Sequence, residues 1–281
     1  SKSNTFVKYL KNINKSINSL LEKNLNKLKF NNLINLARSN KIVLTFVAVS
    51  FLFLSYLLVP TFYNQTEISK EIKKELYNTF NLNFNFSKNL KYNFFPRPHF
   101  TSTDSIILNN QEQISKIKKV KIFVSLENLF SIKNINIKEV ILDNAKFNLN
   151  TENYNFFIKI LDNKFAGSIL EIKNSNIFFR SINREVLFIN KILNIKYFYD
   201  VNELKNIFYS ENEIFNIPFS IESFFGKKKN KIFSQINFNL MKIKIDNELT
   251  LNDENKSGKS EFIIKKIKRI AEYKIEKNFF N

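Results

Sequence analysis

Few side chains in this sequence of 281 residues belong to types that catalyse reactions or bind metals. Cysteine is absent and His99 is the only histidine, which excludes Cys-ligated zinc, cysteine nucleophiles and histidine clusters in this chain. A Ser/His/Asp triad would have to use His99, which stands beside Pro98 and is expected to be a surface or strand-end residue. We therefore predict no catalytic residue, no metal-binding residue and no enzyme.

Phosphate-binding loops and acid–base pairs are equally poorly supported. The chain has 3 glycines and contains neither GxxxxGK[ST] nor GxGxxG, so a loop that cradles phosphate is not expected, and no cofactor is predicted. The carboxylates that could pair all lie in turn-like surroundings, where Asp is common: Asp104, Asp143, Asp162 and Asp200.

The net charge of +19 and the pI near 9.8 first indicate nucleic-acid binding. However, Lys, Asn, Ile and Phe all have AT-rich codons, and the lysines after residue 41 alternate with apolar and acidic residues, as on a solvated strand face. The run Lys227–Lys229 is interpreted as a solvated hairpin tip, with a contact to lipid headgroups or nucleic acid as the alternative. We expect no nucleic-acid partner.

An uncharged apolar segment, IVLTFVAVSFLFLSYLLV, covers residues 42–59. At ~1.5 Å per residue it would span roughly 27 Å as a helix, and about 33 Å if it extends through Tyr63, against a hydrocarbon core of about 30 Å. A cleaved signal peptide would have a shorter apolar region that ends in small residues. We predict an uncleaved transmembrane helix over 42–63, anchored by Ile42, Leu44, Phe46, Phe51, Leu54, Leu57 and Val59.

Charge asymmetry orients this anchor. Residues 1–41 carry nine basic residues and one acid, Glu22, whereas charges balance after the segment. The positive-inside rule therefore predicts a basic cytoplasmic arm over 1–41 and export of everything after Tyr63. Apolar residues at helical spacing in the arm predict either an interfacial amphipathic helix or a partly ordered topogenic tail.

The part after the anchor changes period. Apolar residues four apart predict a short amphipathic helix over Glu67–Phe80, and from Leu82 onward they alternate every second residue, as in half-buried strands. The alternation recurs at Ile106 and Leu108, at Leu193, Ile195 and Tyr197, and in many other short runs. Asn, Asp and Ser turns separate the runs, which predicts a mainly β fold with an antiparallel sheet and no βαβ unit.

Two helical interruptions are predicted, at Tyr154–Leu161 and at Asn202–Phe208. Near the end, Glu261–Ile270 and Tyr273–Phe280 are predicted to be extended, with a C-terminal helix as the alternative. Because the chain stops without a long polar tail, a longer natural protein in which the β array continues is also considered.

Residues 94–150 carry a family resemblance. FFPRPHF at 94–100 is similar to an aromatic-Pro-x-Pro strand entry, through Phe95, Pro96 and Pro98, and TDSIIL at 103–108 is similar to an xDVxL strand, through Asp104. The segment KIKKVKIFVSLENLFSIKNINIKEVILDNAKFNLN follows at 116–150. Together with the preceding anchor and helix, this order resembles the AsmA family. Ser131, Asn134 and Asn144 stand where that family usually has Gly, and Asn tolerates the left-handed conformation.

The resemblance implies an inner-membrane protein whose residues 64–281 form a periplasmic, curved β-sheet with a repeating β groove and a few short helices. It also implies a role in outer-membrane biogenesis, with phospholipid carried between the membranes along an apolar groove. Its partners would be membrane lipids, through their acyl chains, and outer-membrane or envelope assembly proteins. The residues expected to face lipid are Phe84, Val120, Val124, Phe147 and Leu149.

The same alternation fits a closed β-sandwich whose apolar residues form an ordinary core. On that hypothesis the chain would be a bitopic envelope scaffold that binds outer-membrane assembly proteins through a closed β domain.

Overall fold

A computed structural model describes residues 41–276, apart from 88, 110, 111, 128, 164, 166, 182, 227–229, 252–254 and 266. The predictions for the basic arm, the Lys227–Lys229 tip and the end of the strand predicted at Tyr273–Phe280 fall on residues outside this description. The chain divides into two compact units, Ser1–Tyr56 and Leu57–Asn281.

Helix α1, Lys41–Leu58, continues into a 3-10 turn at Val59–Phe62. The α-helical hydrogen bonding ends at this junction because Pro60 has no amide hydrogen and its ring clashes with the preceding turn. The segment Lys41–Phe62 has 22 residues and a mean hydropathy of 2.6, so its length and composition would let it cross a membrane. The described residues contain one such helix, on the segment where it was predicted.

Helix α2, Gln65–Phe80, confirms the predicted amphipathic helix and begins two residues earlier. Asn64 caps its first turn, accepting a hydrogen bond from the backbone amide of Thr66 at 2.9 Å, and Asn81 ends it in the left-handed conformation with φ 55°. The residues of its apolar stripe are at most 1% exposed: Ile68, Ile72, Leu76 and Phe80.

The described residues form thirteen strands in one sheet that does not close on itself. They are β1 (Asn83–Asn85), β2 (Lys91–Asn93), β3 (His99–Asn109), β4 (Glu112–Val124), β5 (Ile137–Leu149), β6 (Ile169–Arg180), β7 (Val186–Asp200), β8 (Lys205–Ile214), β9 (Ile217–Phe225), β10 (Lys231–Phe238), β11 (Ile243–Leu251), β12 (Asn255–Ile264) and β13 (Ile267–Glu276). Both β1 and β2 pair with β3, and from β3 to β13 each strand pairs with the next along the chain. The closed β domain required by the scaffold hypothesis is therefore not found in the described residues.

One neighbouring pair departs from the predicted antiparallel arrangement. Strands β5 and β6 are parallel, and helix α3, Phe156–Leu161, lies in the connection between them. The prediction that no βαβ unit occurs was wrong here, because the period of a segment shows its own conformation and not the direction in which the next strand pairs. Its position agrees with the first predicted interruption. The second, at Asn202–Phe208, was wrong: Leu204 adopts a left-handed turn conformation and β8 begins at Lys205.

The buried residues of β3–β7 define the inner face of the sheet. Along each of these strands, the alternation of inward and outward side chains is interrupted once. Inward side chains are normally two residues apart, but one step in each of these five strands is three residues long. The steps run from Ser102 to Ser105, from Ile117 to Val120, from Leu142 to Ala145, from Ile172 to Ser175 and from Ile192 to Ile195. Strand register aligns all five steps in one row across the sheet.

Left-handed residues occupy three of these steps: Asp104, Asn144 and Asn174, with φ of 55°, 58° and 49°. The predicted inward positions Ile106 and Leu108 were therefore wrong, because the step at Asp104 turns Ile107 inward instead, to 0% exposure. Leu193 is likewise exposed, since it lies within the step of β7. In β8 the inward residues Ser210 and Asn212 are again two apart, and a bulge in β7 absorbs the difference.

Strands β8–β13 form a meander of antiparallel hairpins. Phe215 and Asn216, with φ of 50° and 62°, make the two-residue turn between β8 and β9, and both signs fit a type I′ turn. The extended prediction for the last residues is confirmed up to Glu276, and the alternative of a C-terminal helix was wrong. Left-handed Lys265 lies at the turn between β12 and β13, inside the segment predicted as one strand.

Candidate functional site

The inner face has two parts that differ in cover. In the covered segment, β3–β7, inward side chains such as Val120, Phe147 and Tyr197 have 0% exposure. In the open segment, β9–β12, most inward side chains are half-buried, and the described residues within and after these strands contain no α-helix, only a 3-10 turn at Asn239–Met241. Register joins the two parts through β8, because Tyr197 pairs with Phe208 and Phe208 pairs with Ser223 of β9.

Helices α2 and α3 form the cover through aromatic contacts. The ring of Phe80, at the end of α2, lies 5.8 Å from that of Phe165, which lies 6.0 Å from that of Tyr197 in β7. In α3, the rings of Phe156 and Phe157 lie 6.0 and 5.3 Å from that of Phe147 in β5. The covered segment is therefore an ordinary two-layer core of helices on a sheet.

The five residues predicted to face lipid all lie in this core. Their exposures are 2% for Phe84, 0% for Val120, 7% for Val124, 0% for Phe147 and 1% for Leu149. These side chains are covered by their own chain and line no accessible groove in this structure. Their apolar alternation is the same as that of an open face, because the sequence period reports which face a residue occupies and not what covers that face.

Accessible apolar side chains occur instead on the open segment, in rows that cross the strands. One row joins directly paired residues of four strands, and its members are Ile221, Ile236, Ile245 and Phe262. A second row contains half-buried Phe225 and Leu249, with Ile232, buried at 4% exposure, between them. A third begins with Phe219 and Phe238, whose rings stack at 5.2 Å. The IKIDNELTL run of β11 was missed by the sequence interpretation, although its alternation of apolar and polar residues was the available signal.

A row of small polar side chains separates the first two apolar rows. Ser223, Ser234, Asn247 and Ser260 pair in register across β9–β12. The Ser223 hydroxyl donates to Ser234 Oγ at 2.8 Å, and the Ser260 hydroxyl donates to Asn247 Oδ1 at 2.7 Å. These groups bond to one another and are uncharged, so the polar row interrupts the apolar surface without placing an ion in it.

Tyr273 of β13 also donates to Asn247 Oδ1, at 2.7 Å, by extending its ring over β12. Gly258 makes room for that ring, because a Cβ added there would lie 2.1 Å from Tyr273 Cζ. The glycine is therefore required by the close approach of an aromatic side chain.

The outer face of the same strands is charged. Its cross-strand ion pairs include Lys268 with Glu261, at 2.6 Å, and Lys231 with Glu248. Gln235 donates to Asp246 at 2.9 Å, and Lys244 pairs with the same carboxylate at 2.9 Å. In the open segment, the two faces of one layer thus differ in polarity, with apolar rows inside and mainly charged and polar side chains outside, apart from the stacked rings of Phe224 and Phe233.

The sheet curls enough to bring distant parts of the inner side together. Lys256, at the start of β12, donates to the Tyr154 hydroxyl at 3.1 Å, although Tyr154 lies just before α3. A pocket of about 860 Å³ opens at the boundary of the covered and open segments, lined by side chains that include Leu161, Phe165 and Phe225. Its volume is within the range of about 300–1,000 Å³ that is usual for small-molecule sites.

Burial raises the pKa of Tyr197 well above its ordinary value, so its hydroxyl stays protonated and donates to the Phe157 carbonyl at 3.0 Å. This bond fixes α3 to β7. The pKa of Tyr209, on the outer face, is raised mainly by its hydrogen bond to Glu211 and further by partial burial and the negative charges of Glu211 and Glu222.

The aspartates considered for acid–base chemistry lie on separate elements. Asp104 and Asp143 are in strands β3 and β5, which corrects their predicted turn-like surroundings, and Asp143 accepts a hydrogen bond from Asn174 at 3.0 Å. Asp200 accepts from the amides of Asn202 and Glu203 in a turn. His99 is buried, and its Nδ1 lies 2.7 Å from the Arg97 carbonyl. Among the described residues, no three potential metal-binding side chains come together.

Three of the motif residues of the family resemblance precede β3, and the fourth, Asp104, lies in the middle of that strand. Phe95 is 78% exposed, Pro96 is exposed, Pro98 is buried, and Asp104 marks the first long step of the inner face. Of the predicted anchor residues, Ile42, Phe46 and Phe51 are at least 69% exposed, and Leu44 and Leu54 are about half exposed. Val59 is intermediate, and Leu57, at 8%, is buried.

A comparison with protein families gave no matching family, and a search of curated proteins gave no match.

Proposed function

We propose that this protein is a membrane-anchored, AsmA-like envelope biogenesis factor that transfers phospholipid between the inner and outer membranes along its open β segment. The observation that carries the proposal is the polarity of β9–β12, where the inner face carries rows of half-buried apolar side chains while the outer face is mainly charged and polar. An antiparallel sheet with one apolar face needs either a second layer or an apolar ligand against that face.

The apolar rows suit an acyl chain. Neighbouring strands lie about 4.8 Å apart, so a row across β9–β12 offers roughly 14 Å of apolar surface. Each methylene group removed from water contributes about 0.8 kcal/mol, and this contribution needs no fixed polar group. The absence of charge from the polar row that runs beside these apolar rows supports a ligand that is held by its hydrocarbon part.

The proposed location follows from α1 and from charge. We place α1 in the inner membrane, the basic arm in the cytoplasm and the sheet in the periplasm, since nine basic residues precede the segment. An alkaline phosphatase fusion after Tyr63 should be active in a bacterium with two membranes. Activity of a cytosolic reporter alone at that position would reverse the orientation.

Photocrosslinking tests lipid contact directly. Benzoylphenylalanine should replace Ile236 or Ile245 in the full chain, produced in cells whose phospholipids carry radioactive phosphate. We expect labelled adducts at both positions, because both lie on the apolar inner face.

Adjacent residues on the same strands provide matched controls. Gln235 and Lys244 point to the outer face and should give no labelled adduct, and neither should fully buried Phe147. Equal labelling of the inner and outer positions, or of neither, would remove the proposed lipid-binding role of the open segment.

A further inference from the structure

Five apolar residues with large exposed fractions lie on segments that meet at one end of the sheet. We call them the end patch, and they are Phe62 (86% exposed), Phe94 (42%), Phe95 (78%), Leu126 (47%) and Phe130 (70%). They come from three separate stretches of the compact unit that begins at Leu57. Exposed aromatic side chains in such a group are typical of an interaction site.

Hydrogen bonds bring these three stretches together. The amide of Val124 donates to the Pro98 carbonyl at 3.1 Å, which joins the Phe94–Phe95 loop to the segment that carries Leu126 and Phe130. The Tyr63 hydroxyl donates to the Leu129 carbonyl, which ties the residue after Phe62 to that same segment. Tyr92 donates to the Leu57 carbonyl at 2.7 Å.

The loop of Phe94 and Phe95 is held firmly by its basic residue. Arg97 pairs with Glu139 at 2.7 Å, and its guanidinium lies 4.2 Å from the centroid of the Phe123 ring. The Arg97 side chain is nevertheless 60% exposed, and Lys133 is exposed in the neighbouring 3-10 turn. The apolar side chains of the end patch therefore lie beside cationic groups, a combination typical of surfaces in the interfacial region of a bilayer.

We infer that the end patch inserts into the interface of the membrane that α1 crosses. This inference rests on the membrane-spanning role of α1 in the proposed function and not on lipid transfer. Chain connectivity limits the distance: Phe62 follows Leu58 by four residues, which span at most about 14 Å. Phe62 must therefore stay near the point at which α1 leaves the hydrocarbon region, and hydrogen bonds hold the rest of the patch beside Tyr63.

The absence of cysteine makes the inference directly testable. Single substitutions Phe95→Cys and Phe130→Cys would carry an environment-sensitive fluorophore on the full chain, reconstituted in vesicles of phosphatidylethanolamine and phosphatidylglycerol. We expect blue-shifted emission at both positions and quenching by lipids that carry a spin label near the headgroup.

Phe215→Cys and Leu240→Cys are matched controls. These residues are 77% and 75% exposed, and they lie in turns at the end of the sheet opposite to the end patch. They should show no shift and no quenching. Phe46→Cys, within α1, reports insertion of the anchor separately. Quenching at Phe46 without quenching at Phe95 and Phe130 would overturn insertion of the end patch while supporting the anchor. The same result is expected if a protein, rather than lipid, covers the end patch. Equal quenching at Phe215 and Phe95 also overturns it.

Discussion

Asn144 of β5 and Asn174 of β6 stand at matching positions of the parallel strand pair, and both adopt left-handed backbone conformations. The side-chain amide of Asn174 also donates to Asp143, the residue that precedes Asn144. The two residues form the centre of the row at which five strands take their three-residue step. Asn tolerates this conformation better than residues other than glycine.

Replacement of Asn144 or Asn174 by alanine should lower the free energy of unfolding by about 1–2 kcal/mol, because a Cβ-bearing residue without a local hydrogen bond is strained there. Asn144→Gly should change it little, since glycine has no such strain. Urea unfolding of the detergent-solubilised chain measures the difference. Equal loss in the alanine and glycine variants would show that backbone strain is not the cause.

Replacing an apolar side chain by alanine should lower the free energy of unfolding more in the covered segment of the inner face than in the open segment. Phe147→Ala removes a fully buried ring from the covered segment and should cost about 3–5 kcal/mol. Ile245→Ala, on the half-buried open segment, should cost about 1 kcal/mol, because that side chain is only partly removed from solvent. Similar costs, measured by the same unfolding transition, would indicate that β11 is covered in solution.

Tyr197 should make stability depend on alkaline pH. Its pKa is raised in the folded state, so its stabilising contribution is complete below the unfolded pKa of about 10 and falls as pH rises beyond that value. Tyr197→Phe should cost about 1–3 kcal/mol at pH 8, because the Phe157 carbonyl loses its donor, and should flatten the decline above pH 10. Unfolding midpoints at several pH values test this, with Tyr77→Phe, whose side chain is 56% exposed on α2, as the control that changes little.

Gly258 and Tyr273 should be coupled. Gly258→Ala should displace the Tyr273 ring and break its bond to Asn247, with a loss of about 1 kcal/mol. In a Tyr273→Ala background, the same glycine substitution should be neutral or stabilising, since alanine is favoured over glycine in a strand by roughly 0.5–1 kcal/mol. A double-mutant cycle with no coupling energy would contradict the close approach.

The turn at Phe215 offers a stabilising change. A type I′ turn favours Asn at its first central position, where Phe215 has φ 50° and is 77% exposed. Phe215→Asn should therefore raise the free energy of unfolding by about 0.5–1 kcal/mol, and with it the midpoint of thermal unfolding. Phe215→Val, which is β-branched, should lower it, and a rise with valine would show that the turn conformation is not limiting.

Sequence periodicity predicted the fold where each element signals its own shape. Helix α2 followed from four apolar residues at spacings of four, and the strands followed from alternation. The step at Asp104 could not be predicted in this way, because a left-handed residue within a strand changes the inward positions without changing the composition. The parallel pairing of β5 and β6 could not be predicted although α3 was, because the period of a strand does not show the direction of its neighbour in the sheet.

The candidate site was predicted less well than the fold. Phe147 and Ile245 have the same alternating environment in the sequence, yet one lies beneath α3 and the other faces an uncovered side. Only the way in which α3 folds back over the sheet distinguishes them. A local signal was available in β11, where apolar residues alternate with polar ones on both sides of Asn247.

The linear strand order makes the length of this sheet adjustable. Between β8 and β13 each strand pairs only with its sequence neighbours, so a hairpin inserted at one turn would leave the helix-covered core unchanged. Each added hairpin would widen the apolar inner face of the open segment by about 10 Å, the width of two strands. Growth by repeated hairpins would thus allow one architecture to span gaps of different widths, whereas an insertion within β3–β7 would have to be matched in all five strands at once.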